Sequence, residues 1–472
     1  MPVYDLSEKL TNYGTYKIRA QSLADGYEDS DFAELTYSIG PTIAIKSGII
    51  SIVKVIEGIT AFDVYVDGVK QGQAAYDYSE DWGIAADDYL GAVADGKHAI
   101  TLCAVGDGIS DNRSNAVTCF KGAAPVYGVR WVNDTTTTME RTDDAVGLSY
   151  AIQASDGSIA SDFNDVFPWN ETAVLTLEAG DFLRMPEMYF RIETDDNGDI
   201  NGVAVSKNPS GDGDWFKVDP FYYGIYGASA NGSGLASLAG KARLASTSRP
   251  NFRTKARATG AGYYQLDLYH KTVMTFLWWI EWATKNSESI MPGKTSVTGT
   301  SPCQTGGTDQ VSTPSGFNTT TKQMRYHYIE DFVGNFLEWI DGVSGNTNNK
   351  VWVSANPDDY ADTNGPANYK QLAYTTSGDG QCIKAFGWDS ENPFLCYYSR
   401  TTGGGTYTLA FCDRGYLVNS SYPVVYSGAG WNGSSASYGL CYFSYTSASY
   451  ASGNVGGRLL YNPCWRNCTT TC

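Results

Sequence analysis

Nine residues near the C-terminus have types and spacing that could do chemistry together: Tyr426, Trp431, Ser437, Tyr438, Tyr442, Ser444, Tyr445, Tyr450 and Ala451. They lie between Tyr426 and Gly453, where 22 of 28 residues are Ser, Tyr, Gly or Ala and none is charged. A solvated loop would carry Lys, Glu or Asp, and a core segment would carry Leu, Ile and Val. Tyrosine offers rigid amphipathic contact area at low entropy cost, while Ser and Gly adapt around it. The chemistry is therefore recognition. The competing reading is a Gly/Ser-rich loop with incidental tyrosines. Alternate residues of a strand share a face, so Tyr442 and Ser444 are expected to point outward together and Phe443 inward. Leu440, Phe443, Val455 and Leu459 are expected in the core.

Catalysis finds less material. The chain has three histidines, His98, His270 and His327. HExxH, GxSxG, GxxxxGKS/T and strand–GxGxxG–helix patterns are absent. His327, beside Glu330 and Asp331, reads as a capping or packing residue that opens a helix. Carboxylate pairs such as Asp143-Asp144 and Asp358-Asp359 carry no weight without geometry. The Asp195, Asn197, Asp199 run lacks the Gly and distal Glu of an EF-hand, so Asn197-Gly198 reads as a hairpin turn. The ten cysteines contain no CxxC pair. Cys464, Cys468 and Cys472 are spaced by four with no histidine nearby, which argues against zinc and leaves free thiols as the default. No catalytic residue, metal or cofactor is expected.

The elements that position the recognition residues must come from a chain of 472 residues, long enough for two or three domains. With 33 basic against 51 acidic residues, the net charge is −18. No basic patch is visible, so nucleic acid and anionic membrane surfaces are disfavoured as partners. No apolar run reaches the ~18 residues of a membrane span. The N-terminal MPVYDLSEKL lacks a basic-then-apolar signal pattern, which predicts folding in a cytoplasm or export by other means.

Residues 1–120 carry an internal repeat. Gly14, Ile18, Asp25-Gly26, Asp29 and Thr36 align without a gap on Gly96, Ile100, Asp107-Gly108, Asp111 and Thr118. Each copy reads as strand, Asp-Gly turn, strand. Residues 38–120 are similar to a complete fibronectin type III or Ig-like β-sandwich, and 1–37 match only the second half of one. Either the gene begins mid-repeat or a partner supplies the missing strands. After Ala124-Pro125 the texture changes, and Tyr127–Trp131 and Met188–Ile192 read as strands. Two helices are expected. Lys271–Asn286 is apolar nearly all round and therefore buried. Tyr328–Ile340 places Ile329, Phe332, Val333, Phe336, Leu337 and Ile340 at helical spacing. The Ser/Thr/Gly-rich segment Ser287–Gln323 between them reads as a long surface loop.

The segment Asp331-Phe332-Val333-Gly334-Asn335-Phe336-Leu337-Glu338-Trp339 resembles the D-x-x-G-N-V-W-E-W motif of the formylglycine-generating-enzyme type of C-type lectin fold. Ser427-Gly428-Ala429-Gly430-Trp431 is similar to that family's G-G-S-W strand, and Gly456-Gly457-Arg458-Leu459 to its terminal G-F-R-L strand. Order and spacing agree over roughly residues 123–461. The resemblance implies scaffold roles for Gly334, Asn335, Glu338, Trp339, Gly457 and Arg458. Glu338 can pair with Arg458 or cap backbone groups, and Trp339 can fill the core under the loops. The enzymes of the family carry a cysteine pair five residues apart before the terminal strand, and Cys441 has no such partner.

The 426–453 composition instead resembles the variable region of proteins diversified by retroelements, found in phage tail tips and on some bacterial surfaces. In that family, mutagenesis of Asn codons yields Tyr, Ser, Ala, Gly, Cys, Phe, Asp or Thr. The Arg141–Gly147 stretch and the sandwich spacers also look like phage tail proteins. The resemblance implies a virion-exposed tail-fibre adhesin. Its ligand would be a host cell-surface receptor, protein or glycan. Other tail proteins would meet the N-terminal region, and a homotrimer is implied. The alternatives are an enzyme of the formylglycine-generating type and a bacterial cell-surface adhesin. The expected architecture is an α+β chain: a partial sandwich over 1–37, a β-sandwich over 38–120, and a C-type lectin-like domain with two helices and long loops over 121–472. The variable region would cover about 426–461.

Overall fold

A computed structural model of the protein describes residues 14–20, 33–39, 42–46, 49–54, 59–77, 82–93, 96–106, 113–114, 116–121, 124–133, 136–153, 157–209, 213–295, 304–317, 319–345, 349–376, 381–401, 411–416, 423–430, 440–441 and 443–463. Contacts divide the chain into two units, Met1–Ala124 and Pro125–Cys472. In the first, the sequence repeat has a structural counterpart. Gly14–Ala20 pairs with Ala33–Ile39, bringing Lys17 opposite Thr36. Gly96–Gly106 pairs with Val117–Lys121, bringing Ala99 opposite Thr118. Each residue of the second pair lies 82 positions after its counterpart, so one register is used twice. A three-stranded and a four-stranded sheet share a core of Ile50, Phe62, Val64, Ile84, Ile100 and Leu102.

The second unit corrects the expected fold class. Strand accounts for 44% of the structure, and two α-helices form among the described residues. The unit is a set of small sheets, and the α+β, C-type lectin-like domain built on two expected helices is not what the chain adopts. Helix α1 (Arg249–Ala258) was not anticipated. Its sequence RPNFRTKARA is mostly polar and carries Pro250, so no apolar stripe announces it. Helix α2 (Leu268–Trp282) is the buried apolar segment, starting three residues earlier than expected. The Asp267 carboxylate accepts from the His270 amide at 2.9 Å to cap its start, and Ala283 ends it at φ +49°. Among the described residues no helix is long and apolar enough to cross a membrane.

The expected helix over 328–340 does not form. Ile329–Glu330 and Leu337–Ile340 are strands, joined by a turning segment. Asp331, Gly334 and Asn335 take φ of +51°, +84° and +64°, which a right-handed helix does not admit. The apolar spacing misleads because this segment is buried on every side, so no periodicity of exposure is imposed. A Cβ on Gly334 would sit 2.8 Å from the Lys294 amide nitrogen, so a side chain there collides with backbone. Ser287–Gln323 is likewise not a surface loop where it is described. Thr295, Thr305, Thr308, Ser315 and Gln323 are buried. The buried Glu330 carboxylate accepts from the Gly306 and Thr308 amides, both at 3.0 Å, which draws the loop inward.

Two sheets meet at the C-terminal strand. Val455–Gly456 lies at the edge of a seven-stranded sheet, beside and parallel to Leu337–Ile340. Leu459–Tyr461 lies in a five-stranded sheet between Phe221–Gly224 and Tyr263–Gln265. Arg458, fully buried, sits at the crossing. Its Nε donates to Glu338 at 3.0 Å. Nη1 donates to the carbonyls of Gly224 and Ile225, and Nη2 to those of Glu330 and Asp331. All five guanidinium N–H groups are thus used. Gly457 precedes it because a Cβ there would lie 2.7 Å from the Phe252 ring. Arg458→Ala is expected to lower the free energy of unfolding by about 3–5 kcal/mol by stranding Glu338 and four carbonyls. Urea denaturation followed by tryptophan fluorescence measures it, and a loss below about 1 kcal/mol would contradict this role.

Candidate ligand-binding face

Those of the expected recognition residues that are described lie on or near the middle of the seven-stranded sheet. There Leu337–Ile340, Val424–Gly428 and Phe443–Thr446 are consecutive antiparallel neighbours. Register sets which side chains share a face. Trp339, Tyr426 and Ser444 are cross-strand partners on one side. Ile340, Val425 and Tyr445 are partners on the other. The second side packs onto the main core around α2. The first packs onto a smaller core with Phe252, Val424 and Leu459.

This arrangement corrects part of the expected face. Ser444 and Tyr445 are consecutive strand residues, so they cannot share a face. Both are buried, at 6% and 3% exposure, because both sides of this interior strand are covered. Tyr445 packs against Tyr397 at a ring separation of 5.9 Å, and burial pushes its phenol pKa up. Leu440, Phe443, Val455 and Leu459 are buried. Trp431, Ser437, Tyr438 and Tyr442 lie outside the described residues. Tyr450 and Ala451 are exposed, and Tyr426 is half-buried.

What reaches solvent is a graded aromatic stack. Trp339 is fully buried and donates its indole N–H to the Thr247 carbonyl at 2.8 Å. Tyr426 meets it edge-on at 5.9 Å. Tyr450, 38% exposed, lies over Tyr426 with centroids 6.1 Å apart and planes 23° apart. Tyr450 also meets Trp339 edge-on at 6.2 Å. Offset and edge-to-face pairs of this kind add to simple burial. The Tyr450 loop is fixed by its own hydrogen bonds. The Tyr450 amide donates to the Ser447 carbonyl at 3.0 Å, and the Ser246 amide to that of Ser452 at 2.9 Å. Asn335 and Asp331, bonded at 2.8 Å, hold the turn that delivers Trp339.

No family model matches the chain, and no curated protein does. Among solved structures it is similar to one titled "Structure of PvdO from Pseudomonas aeruginosa". The identity is 11% and the TM-score 0.27, over 61% of this chain and 98% of that one. A likeness this slight carries no conclusion about fold or activity.

The chemistry elsewhere is buried. His98, His270 and His327 lie beside Asp67, Asp267 and Glu281, and none lines the face. His327 opens no helix: it is buried, with its Nε2 2.7 Å from Glu281. The Asp195–Asp199 run forms a hairpin turn, and Asp199 bonds to Ser399 and Arg400. Burial holds the Cys441 thiol well above its ordinary pKa, so it is not a ready thiolate at neutral pH. Beside it, Asp413 accepts from the Cys441 amide at 2.8 Å and anchors the segment entering the face.

Two predictions separate face from foundation. Tyr445→Ala is expected to cost about 3–5 kcal/mol of stability, like other buried aromatic truncations. Tyr450→Ala should leave stability within about 1 kcal/mol. Paired urea titrations measure both, and an equal loss in the two would contradict the assignment.

The second concerns pH. Burial raises the Asp413 carboxyl to about 7. The folded protein then keeps a proton that an unfolded chain, titrating near ~4, has released. This group's contribution to stability is therefore lost as pH rises from about 4 to about 7. Glu330 is pushed in the same direction, by burial and by its neighbour Asp331. Asp413→Asn should shrink, without abolishing, the fall in melting temperature between about pH 5 and about pH 8. An unchanged slope would contradict it.

Proposed function

We propose that this protein is a receptor-binding adhesin, with Tyr450 on its Tyr426–Trp339 support as the anchor of the recognition surface. The observation that carries the reading is this exposed stacked tyrosine, rooted in a buried sheet and set in a 28-residue segment without charge. Rigid aromatic anchors amid small adaptable residues suit a binding surface. The composition suits a segment varied by a retroelement and carried on a phage tail fibre. Substitutions at exposed positions would retarget binding, while Ser444, Tyr445 and the strand partners keep the scaffold. The N-terminal unit would serve attachment, with other tail proteins as its partners. Assembly as a homotrimer would convert weak single contacts into avidity.

With no charge between Tyr426 and Gly453, binding should change little between about 0.05 M and about 0.5 M salt. Tyr450→Ala should weaken binding by about 2 kcal/mol. The measurement is attachment of the full chain to receptor-bearing cells, as monomer and as a multivalent display. Steep loss with salt, or undiminished attachment of Tyr450→Ala, would overturn the reading.

A further inference from the structure

A groove of about 580 Å³ opens beside Tyr450. Helix α1, the residues just before it, and Ser449 and Ala451 all contribute to its lining. Tyr450 lies between the last two in the sequence. Ser246, Ser248, Asn251, Thr254 and Ser449 supply hydroxyls and an amide, and Lys255 is the one charged residue lining it. Asn251 and Lys255 are four apart on α1 and so share a face. Neither side chain makes a hydrogen bond among the described residues.

Ser248 gives the second, independent signal. It is the N-cap of α1, where a serine hydroxyl ordinarily accepts from a first-turn amide. Here the hydroxyl makes no cap hydrogen bond, although the residue is only 8% exposed. Its carbonyl takes the Phe252 amide at 2.9 Å, so the helix begins without help from the hydroxyl. The hydroxyl lines the groove, where it is open to a ligand. Helix α1 itself is held in place. Arg253 bridges Asp341 and Asp362 from within α1, and Arg249 donates to the Ile340 and Val343 carbonyls.

We propose that this groove binds a neutral oligosaccharide. Sugar hydroxyls would bond to Ser248, Asn251 and Lys255, and the apolar side of the sugar would meet Ala258 and Ala451. The proposal rests on the receptor-binding reading and names its ligand class. A protein ligand fits less well, because Ser, Ala and Lys are depleted where proteins bury surface against each other. An acidic glycan fits less well against one lysine on a chain of net charge −18.

The test probes the full chain on an array of neutral and acidic oligosaccharides, with calorimetry on any that bind and cell attachment in parallel. Neutral sugars should bind. Asn251→Trp, which fills the groove from an exposed helix position, should abolish sugar binding. Ser248→Ala should weaken it about tenfold, the value of one hydrogen bond, at an unchanged melting temperature. A fall in melting temperature for Ser248→Ala would show the hydroxyl to be an ordinary cap and overturn the premise. Preference for acidic sugars, no sugar binding, or full sugar binding by Asn251→Trp would overturn the proposal. Cells lost by Tyr450→Ala but kept by Asn251→Trp would overturn the groove alone and leave the adhesin reading standing. Undiminished attachment of both variants would overturn both.

Discussion

The second unit depends on one buried guanidinium. Arg458 joins a strand of the seven-stranded sheet, through Glu338, to the Phe221–Gly224 strand of the five-stranded sheet, through the Gly224 carbonyl. The same side chain takes the carbonyls of Glu330 and Asp331, just before the turn that leads to Trp339. A single point charge could not do this. The planar fork presents five donors in fixed directions, and each finds an acceptor. Burying a charge this deeply is tolerable only because the pairing is complete. The consequence for function is positional. The strand that carries Glu338 also carries Trp339, and Trp339 supports Tyr426 and Tyr450.

Apart from Lys255, the charges near the proposed recognition surface are therefore buried beneath it. Arg243, Arg249, Arg253 and Arg458 are buried beside acidic partners and hold backbone segments together. The surface above them offers aromatic edges and hydroxyls. Such a division lets exposed residues change at little risk to the fold, because the acidic partners of these four arginines are themselves buried or half-buried. It also explains why Ser444 and Tyr445 do not belong to the face. They lie in a strand covered on both sides, where substitution disturbs packing before it alters any contact with a ligand.

The sequence carried the composition of the face plainly, since a long run without charge is conspicuous in a chain of net charge −18. The pairing of Glu338 with Arg458 was one of two roles open to Glu338, and Arg458 holds backbone carbonyls at the same time. Alternation along 442–445 was a poorer guide. It assumes one wet side, and this strand has none. The 328–340 helix failed for a related reason: near-complete burial erases the contrast on which periodicity depends, and four residues of left-handed backbone, Tyr328, Asp331, Gly334 and Asn335, break the turn. Helix α1 was invisible because its buried face is made of Arg249, Phe252, Arg253 and Ala256, so ion pairs stand where apolar residues would have signalled a helix.

The central claim is that exposed positions of 426–453 recognise while covered positions support. The most direct measurement is a saturation substitution scan of Tyr426–Gly453, reading folded yield and receptor-cell attachment on the same library. The account predicts two separate classes. Substitutions at Ser449, Tyr450 and Ala451 should alter attachment at normal yield, and those at Leu440, Phe443, Ser444 and Tyr445 should lower yield. If attachment tracked yield at every position, with no exposed residue acting on binding alone, the face would not be the recognition site.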